Sequence, residues 1–188
     1  PAGHQHAAIE EATAVAASAP ARVHKLALIE ALGPLAGTAE DAGPRLQRAV
    51  AARRAFDATR APRVIADVAT AVDARLVASK MERSAAQLIV ERNLRVVPGG
   101  VTWRSDPRLT LPSHNLVDEA YVASWLRMIT APVLVIAADP SPRYFTAAAR
   151  DARVAQLKDG RCEVIPGGHH LHMEQAARVA APLLRFLG

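Results

Sequence analysis

The sequence predicts an α/β protein with a short parallel sheet flanked by helices and a mainly helical insertion. Three observations carry this expectation. The run "APVLVIAADP" (131–140) is apolar from end to end, as in an interior parallel strand buried on both faces. It is followed by a helix-compatible stretch, a second short strand and a last helix, the order of a βαβ unit. Between 38 and 93 the chain is rich in Ala and Arg, with apolar residues at helical spacing.

The elements follow in order. Residues 9–19 are Ala-rich, and Pro20 ends their helix by fixing its own φ and pushing the preceding residue out of the helical region. "VHKLALIEA" (23–31) reads as a short apolar strand with a polar end, stopped by "LGPLAG". Thr38 is placed to cap the next helix, with Asp41 in the acid position of a capping box and Leu46, Val50 and Phe56 along one face. Pro62 suits the first turn of a second helix, striped by Val64, Ile65, Val68, Val72, Leu76 and Val77. Ser84 would cap a third, with Leu88 and Ile89 as its apolar residues. "LRVVPGGVTWRSDPRLTLPS" (94–113) predicts a hairpin turning at Pro98-Gly99-Gly100, with Arg104 paired to Asp106. A helix over 117–129 carries the stripe Tyr121, Trp125 and Met128, expected to face the core. Then come the strand 131–140, a helix over 144–157, a strand over 161–168 and a helix over 174–187.

Composition narrows the function. The chain has 188 residues, is 51% hydrophobic and only 4% aromatic, so its core must be built from Ala, Val, Leu and Ile. The net charge of +5 rests almost wholly on Arg, because Lys25, Lys80 and Lys158 are the lysines. These Arg are scattered at helical intervals and interleave with no aromatics, which speaks against nucleic acid as a partner. No apolar run nears the roughly 20 residues that cross a bilayer, and no signal-peptide pattern is visible, so no membrane role is expected. The absence of an initial Met suggests a fragment or processed chain. Cys162, alone, allows neither an internal disulfide nor a Cys-based zinc site, and a cytoplasmic location is the default expectation. A buried packing role fits it better than a nucleophilic one.

Ligands of open parallel sheets bind beyond the C-terminal strand ends. Two polar sites fall there: Asp139 after the first long strand, and "PGGHHLHMEQ" (166–175) after the second. A carboxylate and an imidazole on neighbouring loops can form the orienting pair that a general base needs. The glycines let the loop bring His169 over the sheet edge. Plainer readings stand beside this one. An Asp before Pro is also a common turn former, and clustered His169, His170 and His172 also suggest a metal site. The Glu here is not in the helical His-Glu-x-x-His pattern, and no metal or other cofactor is expected.

These residues carry a resemblance. The run "ITAPVLVIAADPSP…RCEVIPGGHHLHMEQAARVAAPLLRFL" resembles the C-terminal third of an α/β-hydrolase, and "PARVHKLALIEALGPL" resembles the strand after that family's nucleophile helix. The stretch between resembles the cap of serine hydrolase-like and esterase-like members. The resemblance implies the C-terminal half of an α/β-hydrolase fold, with core segments at 1–36 and 126–188 and a helical cap at 37–125. By position it implies Asp139 as the triad acid and His169 as the base. His170 and His172 would line or brace the loop, and Glu174 would start the last helix. His4, His6, Trp103, Trp125 and His170 are candidate substrate contacts. The implied activity is hydrolysis of ester or related bonds in small, fairly apolar substrates.

One departure matters for activity. The family's nucleophile sits in a Gly-x-Ser-x-Gly elbow, and the matching stretch here is "GHQHA" (3–7), with Gln5 in place of Ser. A carboxamide is not a nucleophile. Ser18, Ser79, Ser84 and Ser141 are not placed to substitute. The family's earlier strands and an oxyanion-hole loop are not represented, and losing one such donor costs about 10²–10³ in rate. The resemblance therefore implies an inactive chain with a degenerate triad. Its partners would be a small-molecule substrate or ligand, together with either a missing N-terminal segment or a second copy at an exposed sheet edge. Two alternatives remain open: a non-catalytic ligand-binding relative, favoured by Gln5, and a helical regulator dimerising through Val64, Val68, Val72 and Leu76.

Overall fold

The structure, a computed structural model, describes residues 3–57, 59, 63–114 and 116–188, with side chains from residue 10 onward. Helix α1 (Gly3–Ser18) leads through a 3-10 turn at Pro20–Arg22 into β1 (Leu26–Ile29). Three helices follow: α2 (Ala42–Ala55), α3 (Val68–Ala78) and α4 (Arg83–Asn93). The hairpin β2 (Leu94–Val97) and β3 (Gly100–Trp103) precedes α5 (Glu119–Leu126). The chain then returns through β4 (Val133–Asp139), α6 (Ala147–Val154), β5 (Gly160–Pro166), the single turn α7 (Leu171–Glu174) and α8 (Ala176–Leu187).

The main sheet has the order β1-β4-β5 and is parallel throughout, with Leu26 opposite Val133 and Val133 opposite Gly160. Residues 133 to 138 of β4 are all buried because the sheet is covered on both faces. Val133 and Val135, with Leu26 and Leu28 of β1, meet Ala16 and Ala17 of α1 and Val122 and Leu126 of α5. Leu134, Ile136 and Ala138 point the other way, onto Ile165, Leu171 and Val179 of α8. Alternation along one strand thus builds two hydrophobic layers. A third cluster, Ala71, Val72, Ala86, Val90, Leu94 and Val101, joins α3, α4 and the hairpin.

Arg153 of α6 ties this arrangement together. Its Nε and Nη2 donate to Glu119 at 2.9 and 2.8 Å, and its Nη1 donates to the Leu32 carbonyl at 2.6 Å. Among the described residues no helix is long and apolar enough to cross a membrane.

Several local expectations are corrected. The expected helix start at Pro62 lies outside the described residues, and Asp67 caps α3 instead, accepting from the Thr70 amide at 2.7 Å. Ile65 pairs with Val101 as a bridge beside the hairpin, and Val77 is 91% exposed, so the long stripe divides between a strand-like edge and a helix. Helix α4 begins at Arg83 after Glu82, one residue before Ser84, and buries Ala85, Ala86 and Val90 while Leu88 is exposed. In α5 the buried row is Val122 and Leu126, whereas Tyr121, and Met128 just past the helix end, are exposed. That helix is apolar on more than one side, so periodicity alone does not choose its inner face. Residue 126, where the second core segment was drawn, falls at the end of α5. Glu174 ends α7 and does not start α8, because the chain breaks at Gln175. Arg104 donates to the Leu94 carbonyl at 2.6 Å, and Asp106 pairs with Arg108. The Asp106 carboxyl is held down at about 2, chiefly by hydrogen bonding from the Arg108 side chain.

Candidate functional site

Three parallel strands deliver their polar ends to one rim. Glu30 follows β1, Asp139 closes β4, and the Gly167-Gly168 turn carries His169 beyond β5. The Asp139 carbonyl accepts from the Gly167 amide at 2.9 Å, which fixes where the histidine loop leaves the sheet. The loop then folds on itself. The Gly168 carbonyl accepts from the Leu171 amide at 3.0 Å, and Gln175 Nε2 donates to the Pro166 carbonyl at 2.8 Å.

The carboxylate that meets His169 is Glu30. Its Oε2 lies 3.2 Å from His169 Nδ1, and its Oε1 accepts from the Ala138 amide of β4. The Glu30 side chain is only 2% exposed, and its backbone adopts φ 64°. A non-glycine residue in that region costs on the order of 1–3 kcal/mol and persists only where its surroundings enforce it. Here the Glu30 amide donates to the Ile136 carbonyl at 2.8 Å while its carboxylate folds back over the end of β4.

The expected partner, Asp139, shares the rim but makes no side-chain hydrogen bond to His169 among the described residues. It is exposed, and its charge bears on Arg150 of α6. The physical reason is the strand order. The histidine loop crosses over the end of the middle strand and reaches the acid of the far strand. A signal for Glu30 was present, since "LALIE" ends an apolar strand with an acid, as "VIAAD" does.

Tyr144 completes the cluster. Its hydroxyl lies 2.6 Å from His169 Nδ1 and 3.3 Å from Nε2, and the two rings meet edge to face at 5.4 Å between centroids. Burial, reinforced by the Glu30 charge, pushes the phenol well above its ordinary range, so it stays neutral. The His170 ring lies beside that of His169, tilted by 53° with centroids 4.8 Å apart, and is itself buried. Burial, with the neighbouring charges of His169 and Arg75, pushes His170 down to about 4. His172 is lowered in the same direction, again mainly by burial.

Trp103 and Trp125 belong to other packing clusters. Trp103 ends β3 and packs on the cluster joining the hairpin to α3 and α4, while Trp125 packs against the main core beside Tyr121. Gln5 falls within α1. Its side chain and those of His4 and His6 lie outside the described residues. Cys162 on β5 is partly buried, and that burial raises its thiol. Among the described residues no group of three or more His, Cys, Asp or Glu is arranged to hold a metal ion.

Parallel strands with helices on both faces, and an imidazole over the strand ends, define the α/β-hydrolase arrangement, and comparison bears this out. The chain has the α/β-hydrolase fold. It is similar to a serine hydrolase-like protein of Dictyostelium discoideum, 28% identical over 94% of this chain and 52% of that protein. A hypothetical protein of Pseudomonas aeruginosa PAO1 superposes with a TM-score of 0.77 at 33% identity, over 94% of this chain and 64% of its own. The thioesterase domain from the curacin biosynthetic pathway superposes with a TM-score of 0.71 at 21% identity, over 92% and 60% of the two chains. The chain thus spans about half the length of the curated relative and under two thirds of these structures. No protein-family model matches it.

Proposed function

We propose that this chain carries the acid–base apparatus of a hydrolase acting on ester or related bonds of small, fairly apolar substrates. The observation that supports this most is the contact of Glu30 with His169 at 3.2 Å, on the rim where the fold family places its chemistry. With its proton on Nδ1, His169 donates to the Glu30 carboxylate, and the Tyr144 oxygen accepts a share of the same hydrogen. Nε2 is then left to draw a proton from a hydroxyl nucleophile and return it to the leaving group. Buried Glu30 stabilises the imidazolium that forms, and Ala138 holds the carboxylate in place. The role expected for Asp139 passes to Glu30.

Gln5 occupies the nucleophile position in this reading, so the chain as written does not form an acyl-enzyme. Purified chain should not hydrolyse p-nitrophenyl butyrate above the level of its His169→Ala variant; a His169-dependent rate would overturn the reading of Gln5. The Gln5→Ser variant should be labelled by an alkyl fluorophosphonate, with labelling lost when His169→Ala is added. Absence of labelling in Gln5→Ser would sink the hydrolase reading. The residues 37–125 are assigned in this proposal to a cap over the site.

A further inference from the structure

Strand β5 closes one side of the main sheet, where β4 is its strand neighbour. Two bonds fix which of its backbone groups face outward. The Val133 amide donates to the Asp159 carbonyl at 2.8 Å, and the Gly167 amide donates to the Asp139 carbonyl at 2.9 Å. Odd-numbered residues of the strand therefore turn their amides and carbonyls toward β4, and Gly160, Cys162 and Val164 turn theirs away from it. Among the described residues no hydrogen bond reaches the amides of Cys162 and Val164. Pro166 ends this free run, because it has no N–H and its carbonyl already accepts from Gln175 Nε2 at 2.8 Å. The open stretch is thus 160–164, and its midpoint is Cys162.

We infer that this edge pairs with the same edge of a second copy of the chain, antiparallel, about a two-fold axis at Cys162. An unpaired strand edge is a template for such pairing, and the side-chain order selects the partner. Arg161 and Glu163 lie two positions apart and share one face of the strand, the face on which Glu163 accepts from Arg185 of α8 at 3.1 Å. In the two-fold register Arg161 stands opposite Glu163 of the partner subunit, and the same pair recurs on the other side of the axis. Both side chains reach solvent: that of Arg161 is 68% exposed, 3.6 Å from Asp159, and that of Glu163 is 45% exposed. Cys162 faces its own counterpart and Gly160 faces the partner's Val164, as pairs that exchange main-chain hydrogen bonds. The two charged residues fall at the intervening positions, where opposed side chains approach most closely. Moving the axis by one residue either way sets Arg161 or Glu163 opposite itself, and like charges so placed repel. The contact is short, so the dimer is weak, with a Kd between about 1 µM and 1 mM. It does not involve the Glu30–His169 cluster and is independent of the hydrolase reading.

Sedimentation velocity of the purified chain, from about 10 µM to about 1 mM, should show a growing dimer fraction. Arg161→Glu and Glu163→Arg should each weaken that dimer about tenfold or more, by setting like charges opposite one another. Mixed in equal amounts, the two variants regain opposite charges at both positions and should associate about as tightly as the original chain, which a loss of folding could not produce. Hydrogen exchange locates the contact. The amides of Cys162 and Val164 should gain protection as concentration rises, while those of Arg161 and Glu163, which face β4, should not change. A monomer at about 1 mM, failure of the mixed variants to associate, or concentration-dependent protection at β1 in place of β5 overturns the inference.

Discussion

Glu30 combines a left-handed backbone, near-complete burial and a bond to a partly exposed imidazole. Glu30→Gln keeps the shape but removes the charge, so the His169 Nδ1–H resonance should move upfield. Asp139→Asn should leave it in place, since that carboxylate makes no bond to the ring; a shift with Asp139→Asn alone would reverse the assignment. His170 supplies a stability effect with a defined sign. Its ordinary value is 6.5 and the fold lowers it to about 4. Between those values the unfolded chain binds a proton that the folded protein refuses, so stability falls as pH drops from about 6.5 to about 4. His172 acts in the same direction. Urea unfolding across that range should show the loss, and His170→Gln should flatten it.

At the scale of elements, α5 and the hairpin show how packing selects among local options. Leu126 is fully buried under the sheet, whereas Met128 is 56% exposed. Leu126→Ala should therefore cost about 2–5 kcal/mol, and Met128→Ala should stay within about 0.5 kcal/mol. Equal effects in chemical denaturation would contradict the inner face described here. The hairpin depends on Gly100, at φ 148°, where a Cβ would press on the Ile65 and Ala66 carbonyls. Gly100→Ala should cost on the order of 1–3 kcal/mol, through strain and loss of the Ile65–Val101 bridge. Protection of the Ile65 and Val101 amides from hydrogen exchange would fall with it.

Across the whole molecule, Arg153 links α6, α5 and the turn after β1, a turn that follows Glu30 closely in sequence. Arg153→Met preserves much of the packing but leaves the Leu32 carbonyl without its donor. Unfolding should be easier by about 1–3 kcal/mol, read from the urea midpoint. If the turn also positions Glu30, the His169 Nδ1–H signal should broaden in the same variant. The sheet itself is arranged for such long-range effects, since its three strands are contributed by segments separated by more than a hundred residues between β1 and β4.

The parallel strands, the βαβ unit and the hairpin were legible in the sequence because period, apolar run length and turn residues are local properties. "APVLVIAADP" can scarcely be anything but an interior strand, and Pro98-Gly99-Gly100 turns wherever it is placed. The position of the histidine loop was legible too, from glycines following a strand. What tertiary structure decided is which acid that histidine meets and which row of α5 faces inward. Both depend on strand order and on competition among apolar faces, which only the assembled sheet resolves.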